Sequence, residues 1–91
     1  MTDYGLAFRI IRAALDAKQT ELAEAMGTTA STLSLIECGK RNPSLDMITR
    51  FSVSTAWPMP MVVALADGSV SKDMAVSIVK ELLRGNNEAN P

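Results

Sequence analysis

The side chains best able to do chemistry are gathered in one stretch, residues 19–44, which reads QTELAEAMGTTASTLSLIECGKRNPS. It carries an amide near each end (Gln19, Asn42), a run of hydroxyls between them, and two adjacent cations, Lys40 and Arg41. Such groups hydrogen-bond and neutralise anions; they do not make or break bonds. The chain has no histidine, no glycine-rich phosphate loop and no carboxylate pair in a recognisable motif. Acid–base catalysis therefore lacks its usual players, and no enzyme is expected. The single cysteine, Cys38, has no partner for an internal disulfide, and without histidine a zinc site lacks ligands. No metal, no cofactor and no small-molecule substrate is expected. Cys38 reads as an incidental small residue rather than a redox-sensitive thiol.

Charge limits what such a stretch can bind. Nine basic and ten acidic residues give a net charge of −1. A non-specific nucleic-acid binder carries a basic excess, because phosphate neutralisation supplies its affinity. If this chain binds nucleic acid, its positive charge must be local. Lys18, Lys40 and Arg41, joined by Arg9 and Arg50, would form that rim, with Glu21 and Glu24 opposing it.

The elements that must position these residues are helical throughout. Hydrophobic residues make up 47% of the chain, yet no apolar run approaches the ~18 residues of a membrane span. The N-terminus lacks the pattern of a signal peptide, and one cysteine fits a reduced setting, so a cytoplasmic, nucleoid-associated protein is expected. Turn signals divide the chain into six helices, and no hairpin signal lies between strand-like runs. The first helix is expected over residues 3–16, with Tyr4, Phe8, Ile11 and Leu15 on one face. The second covers 19–26, with Leu22, Ala23 and Met26 inward and Gly27 as its left-handed stop. The third covers 30–38, capped by Thr29 and stopped by Gly39, with Leu33 and Ile36 inward. The fourth covers 45–55 behind Ser44, with Leu45, Met47, Ile48 and Phe51 inward. Trp57 seals the core after it, Pro58 opens a fifth helix to residue 65 or 66, nearly all apolar and so expected to be buried, and Asp67-Gly68-Ser69 breaks the chain. A sixth, amphipathic helix is expected over 72–84, with Met74, Ile78 and Leu82 on its face beside Ala75, Val79 and Leu83. Residues 85–91 read as a disordered tail.

Two short helices thus meet across a tight turn within residues 19–44. That joint needs a small residue at the contact (Ala23), a glycine at the turn (Gly27) and apolar anchors behind the second helix (Leu33, Ile36). All three demands are met, which is the signature of a helix-turn-helix whose second helix can enter a major groove.

At this point the chain closely resembles the phage-repressor and Cro-like (Xre-type) helix-turn-helix family. The resemblance covers residues 4–65 and rests on Gly5, Phe8, Ile11 and Arg12, on Gln19 with LAEAMG, on GTTASTLSLIE, and on GKRNPSL. It implies an all-α fold, a compact five-helix repressor-like DNA-binding domain over residues 1–66, with an additional C-terminal helix in an extension over 67–91. It also implies a transcriptional regulator, a repressor, that binds a palindromic operator in double-stranded DNA as a homodimer. By position in the family pattern, Gln19 would touch a phosphate, with its side chain or with the amides of the helix start. Thr28, Thr29, Ala30, Ser31, Ser34 and Leu35 would face backbone or base edges, and Lys40, Arg41 and Asn42 would grip the sugar–phosphate backbone. Arg12 and Glu37 would form an ion pair tying the first helix to the third, orienting the scaffold rather than reading DNA.

Two departures from the family pattern matter. Lys18 stands where a capping serine or threonine is usual, with Asp16 as the nearby compensation. The recognition helix offers no outward Arg, Lys, Gln or Asn, the residues that make bidentate base contacts. Ala30 and Leu35 can pack on thymine methyls, while Ser31 and Ser34 discriminate little. This plain face and the acidic balance also suit a second use of the same fold, a protein-interaction module with little DNA binding. The sixth helix adds an apolar face that needs a cover. It is expected either to pack on Leu6, Ile10, Ala13 and Ala17 of its own chain or to cross a two-fold axis, with Met74, Ile78 and Leu82 as dimerisation residues.

Overall fold

The computed structural model describes residues 2–88; within the last helix, the side chains of residues 83 and 85–88 are not described. It is all-helical. The elements are α1 (Tyr4–Ala14), α2 (Gln19–Ala25), α3 (Ala30–Glu37), α4 (Leu45–Thr55), α5 (Met59–Asp67) and α6 (Lys72–Glu88). Among the described residues no helix is long and apolar enough to cross a membrane.

The expected punctuation sets the helix ends. Asp3 caps α1 by accepting from the Leu6 amide (3.0 Å), Thr29 caps α3 through Thr32 (3.1 Å), and Ser44 caps α4 through Met47 (3.1 Å). Gly27 and Gly39 turn left-handed at φ 71° and 79°, where a side chain would be strained. Pro58 stands one step outside α5 as its N-cap. At the end of α5, Asp67 accepts from the hydroxyl and the amide of Ser69, and those bonds hold its carboxyl below the usual range.

One core joins all six helices. Phe8 of α1 stacks on Phe51 of α4 with ring centroids 3.8 Å apart. Leu22, Ala23, Met26, Leu33, Ile36, Ile48, Val62 and Leu65 surround that stack. Trp57 closes it from the α4–α5 turn, its carbonyl accepting from Ser52 (2.6 Å) and its amide donating to Thr55 (3.3 Å).

Several expected positions differ. Leu15 is exposed because α1 ends at Ala14 and Asp16 turns left-handed (φ 53°), swinging Leu15 off the core face. Leu45 is 76% exposed: it stands at the open start of α4, and the inward row begins one turn later with Ile48. α5 buries only Val62, Leu65 and Ala66 and leaves Val63 exposed, so its apolar composition does not mean burial all round. α6 runs past residue 84 to Glu88, so the stretch read as a disordered tail is helical as far as Glu88, and residues 89–91 lie outside the described residues.

The apolar stripe of α6 divides in two. Ala75 and Val79 enter the common core and the helix packs on α5, whereas Met74, Ile78 and Leu82 remain exposed. The helix does not cover the second apolar set of α1, where Leu6 and Ala13 stay exposed.

Candidate nucleic-acid interface

The frame behind the helix-turn-helix is a hydrogen-bonded knot centred on Glu37, at the last turn of α3. Arg12 grips its carboxylate in a fork: Nε donates to Oε2 (2.8 Å) and Nη2 to Oε1 (2.8 Å). The third guanidinium nitrogen, Nη1, donates to the Ala17 carbonyl (3.1 Å), and Gln19 Nε2 donates to Glu37 Oε1 (3.1 Å). Four parts of the chain are thereby locked together: α1, the α1–α2 loop, the start of α2 and the end of α3. The Glu37 side chain is 4% exposed and that of Arg12 25%. Glu37's hydrogen bonds hold the Arg12 proton more tightly than usual, and partial burial only partly offsets this. Among the described residues, no buried side-chain nitrogen or oxygen lacks a partner. The expected ion pair is present, but its inclusion of Gln19 and the Ala17 carbonyl was not legible from the residues.

Beside the knot, α1 and α3 approach more closely than side chains allow. A Cβ at Gly5 would lie 2.3 Å from the Ile36 carbonyl oxygen. Only glycine fits there without a shift of one backbone.

At the other end of α3, Gly39 reverses the chain, and the amides of Lys40 and Arg41 both donate to the Leu35 carbonyl (2.9 and 3.2 Å). The basic loop is thus folded onto the end of α3. The side chains of Lys40, Arg41 and Asn42 are exposed, and the two cations take no ion pair among the described residues. Arg41 and Asn42 also wall a cleft of about 630 Å³ against Tyr4 and Gly5.

The remaining candidate residues divide by what already engages them. Ser31, Ser34 and Leu35 are exposed along the outward side of α3, Cys38 continues that row just past its end, and Ala30 is half-buried at its start. Thr28 is half-buried, its amide donating to the Ala23 carbonyl (2.9 Å). The Thr29 hydroxyl accepts from the Thr32 amide and donates to the Thr32 hydroxyl (3.0 Å), so its chemistry is used in capping. Gln19 keeps one N–H and its oxygen beyond the bond to Glu37. Lys18 supplies no side-chain cap to α2. Asp16 does not compensate; instead the Glu21 carboxylate accepts from the Lys18 amide (3.0 Å), and the next amides take no acceptor among the described residues. Arg50 drops out of the expected basic rim, since its guanidinium pairs with Asp46 (2.9 Å) and donates to the Met26 carbonyl (3.3 Å).

Residues 8–53, half of the chain, match the family described as Helix-turn-helix. No curated protein and no solved structure matches the chain.

Proposed function

The chain belongs to the Xre-type helix-turn-helix family, and from that premise we propose that it is a transcriptional repressor that binds a palindromic operator as a homodimer, with α3 in the major groove. One observation carries the reading: among the described residues the outward side of α3 is uncovered, and Lys40 and Arg41 are fastened by their amides to its end with no ion pair to either charge. Cations at that place suit phosphates flanking a groove, and they supply the local positive charge that an acidic chain otherwise lacks. Gln19, with the open amides of α2, and Asn42 would add backbone contacts, while Thr28, Thr29, Ala30, Ser31, Ser34 and Leu35 would line the groove itself. In this reading the protein works in the cytoplasm on the nucleoid and has no catalytic step.

The exposed row Met74, Ile78 and Leu82 supports the dimer, because paired recognition helices about one DNA turn apart read an inverted repeat. The same row also favours a second reading, a protein-interaction module in which it covers a different partner.

A random-oligonucleotide selection with the purified protein separates the two. Enrichment of an inverted repeat with half-sites about one helical turn apart is expected. Changing Lys40 and Arg41 together to alanine should weaken binding across all sequences and flatten its salt dependence by about one unit of slope per lost phosphate contact. Light scattering should give a dimer mass that Ile78→Asp reduces to a monomer. A folded protein that enriches nothing moves the assignment to the interaction module, and a monomeric mass for the unaltered chain removes the dimer.

A further inference from the structure

The chemistry on the outward side of α3 is narrow enough to say what it can read. The exposed residues in that row are Ser31, Ser34, Leu35 and Cys38, with Ala30 and Thr32 half covered. The Thr29 hydroxyl is engaged at the cap, and the Cys38 thiol leans back on the Leu35 carbonyl at 3.5 Å. Among the described residues that leaves the two serine hydroxyls without a hydrogen bond, beside the half-covered Thr32 hydroxyl, which accepts from Thr29. A hydroxyl rotates to donate or accept as needed, so it meets any base edge with little preference. No side chain in the row can form the bidentate bonds that single out guanine or adenine.

The one large group in the row is Leu35, 41% exposed and one turn from both Ser31 and Cys38. Its carbonyl anchors the basic loop through the amides of Lys40 and Arg41, so its Cα is fixed relative to the backbone that carries the two cations. Among the base edges of the major groove, the apolar feature is the methyl on C5 of thymine. A methylated cytosine carries the same group on the same carbon. We propose that the recognition helix reads C5-methyl groups, with Leu35 as the specificity-determining residue and the serines as tolerant neighbours. This deepens the major-groove reading and rests on it.

The test uses the selected operator and the full chain, with each thymine of a half-site replaced in turn by uracil, which removes the methyl alone. At the position under Leu35 the loss should be about fourfold, the worth of one buried methyl. Leu35→Ala should bind thymine and uracil operators equally, whereas Leu35→Met, which keeps the apolar area, should retain the difference. Lys40→Ala should weaken both operators by the same factor. A second series places 5-methylcytosine for cytosine at each position. A gain there identifies cytosine methylation as the signal; loss at uracil without such a gain identifies thymine. If uracil and thymine operators bind alike and methylated cytosine gives no gain, methyl reading is overturned while operator binding stands. If the folded protein binds no operator, both fall.

Discussion

On its inner side α3 presents Leu33, Ile36 and Glu37, all buried, against an α1 backbone so close that only Gly5 fits. On its outer side it presents Ser31, Ser34 and Leu35, all exposed, and none forms a side-chain hydrogen bond among the described residues. The same eight-residue helix is thus over-determined on one side and nearly bare on the other. Position is fixed by a fork of charged hydrogen bonds and a steric stop, both intolerant of change. Under the proposed function, reading falls to side chains that can be exchanged without disturbing the fold. The contrast separates two kinds of substitution, those that unfold the protein and those that only alter what it binds.

The largest effects should come from the inner side, and the ion pair should break asymmetrically. Arg12→Ala strands a nearly buried carboxylate with, among the described residues, Gln19 as its one remaining side-chain partner, which should cost about 4 kcal/mol. Glu37→Ala leaves a guanidinium that still reaches water and keeps the Ala17 carbonyl, so about 2 kcal/mol is expected. Urea denaturation of both variants checks the order. Equal losses would mean that Glu37 finds other solvation once Arg12 is gone, and the knot would then matter less than its geometry suggests. Between these two falls Gly5→Ala. The added methyl meets a carbonyl oxygen that belongs to a helix backbone and cannot rotate away. A loss of about 3 kcal/mol, or roughly 15 °C in Tm for a domain of this size, should appear in thermal melts. An unchanged Tm would show that α1 and α3 can part at no cost.

This inner–outer contrast was only half visible in the sequence. Thr29, Ser44, Gly27 and Gly39 declare helix ends through local chemistry, which needs no neighbour, and so the helix-turn-helix could be read directly. The Arg12–Glu37 pair came from resemblance, and the structure supplies its two forked bonds. Long-range facts were hidden. Nothing local distinguishes Gly5 from a poorly chosen helix residue, because the carbonyl it accommodates lies in α3. Gln19 looked like a free amide because its acceptor is eighteen positions away in sequence. Periodicity likewise places Leu45 with Ile48 and Phe51, and Met74 with Ala75, on one stripe. It cannot say how far along or around the helix a neighbour reaches, which is why Leu45 and the Met74–Ile78–Leu82 row are exposed.

The smallest expected effect is the sharpest check on the contrast. Leu35→Ala and Ser34→Ala should each change stability by no more than about 0.5 kcal/mol, because neither side chain is buried and neither makes a bond that the fold requires. Alanine favours the helix at least as well as either residue, so Ser34→Ala should leave the urea midpoint unmoved or slightly raised. The Leu35 carbonyl continues to accept from Lys40 and Arg41 whatever the side chain, so the basic loop should stay in place. If Leu35→Ala instead lowers the midpoint as far as Glu37→Ala does, the exposed leucine is structural. The two sides of α3 would then not be separable into frame and reader. A midpoint that stays fixed while operator preference changes would show that one helix keeps these two tasks on opposite sides.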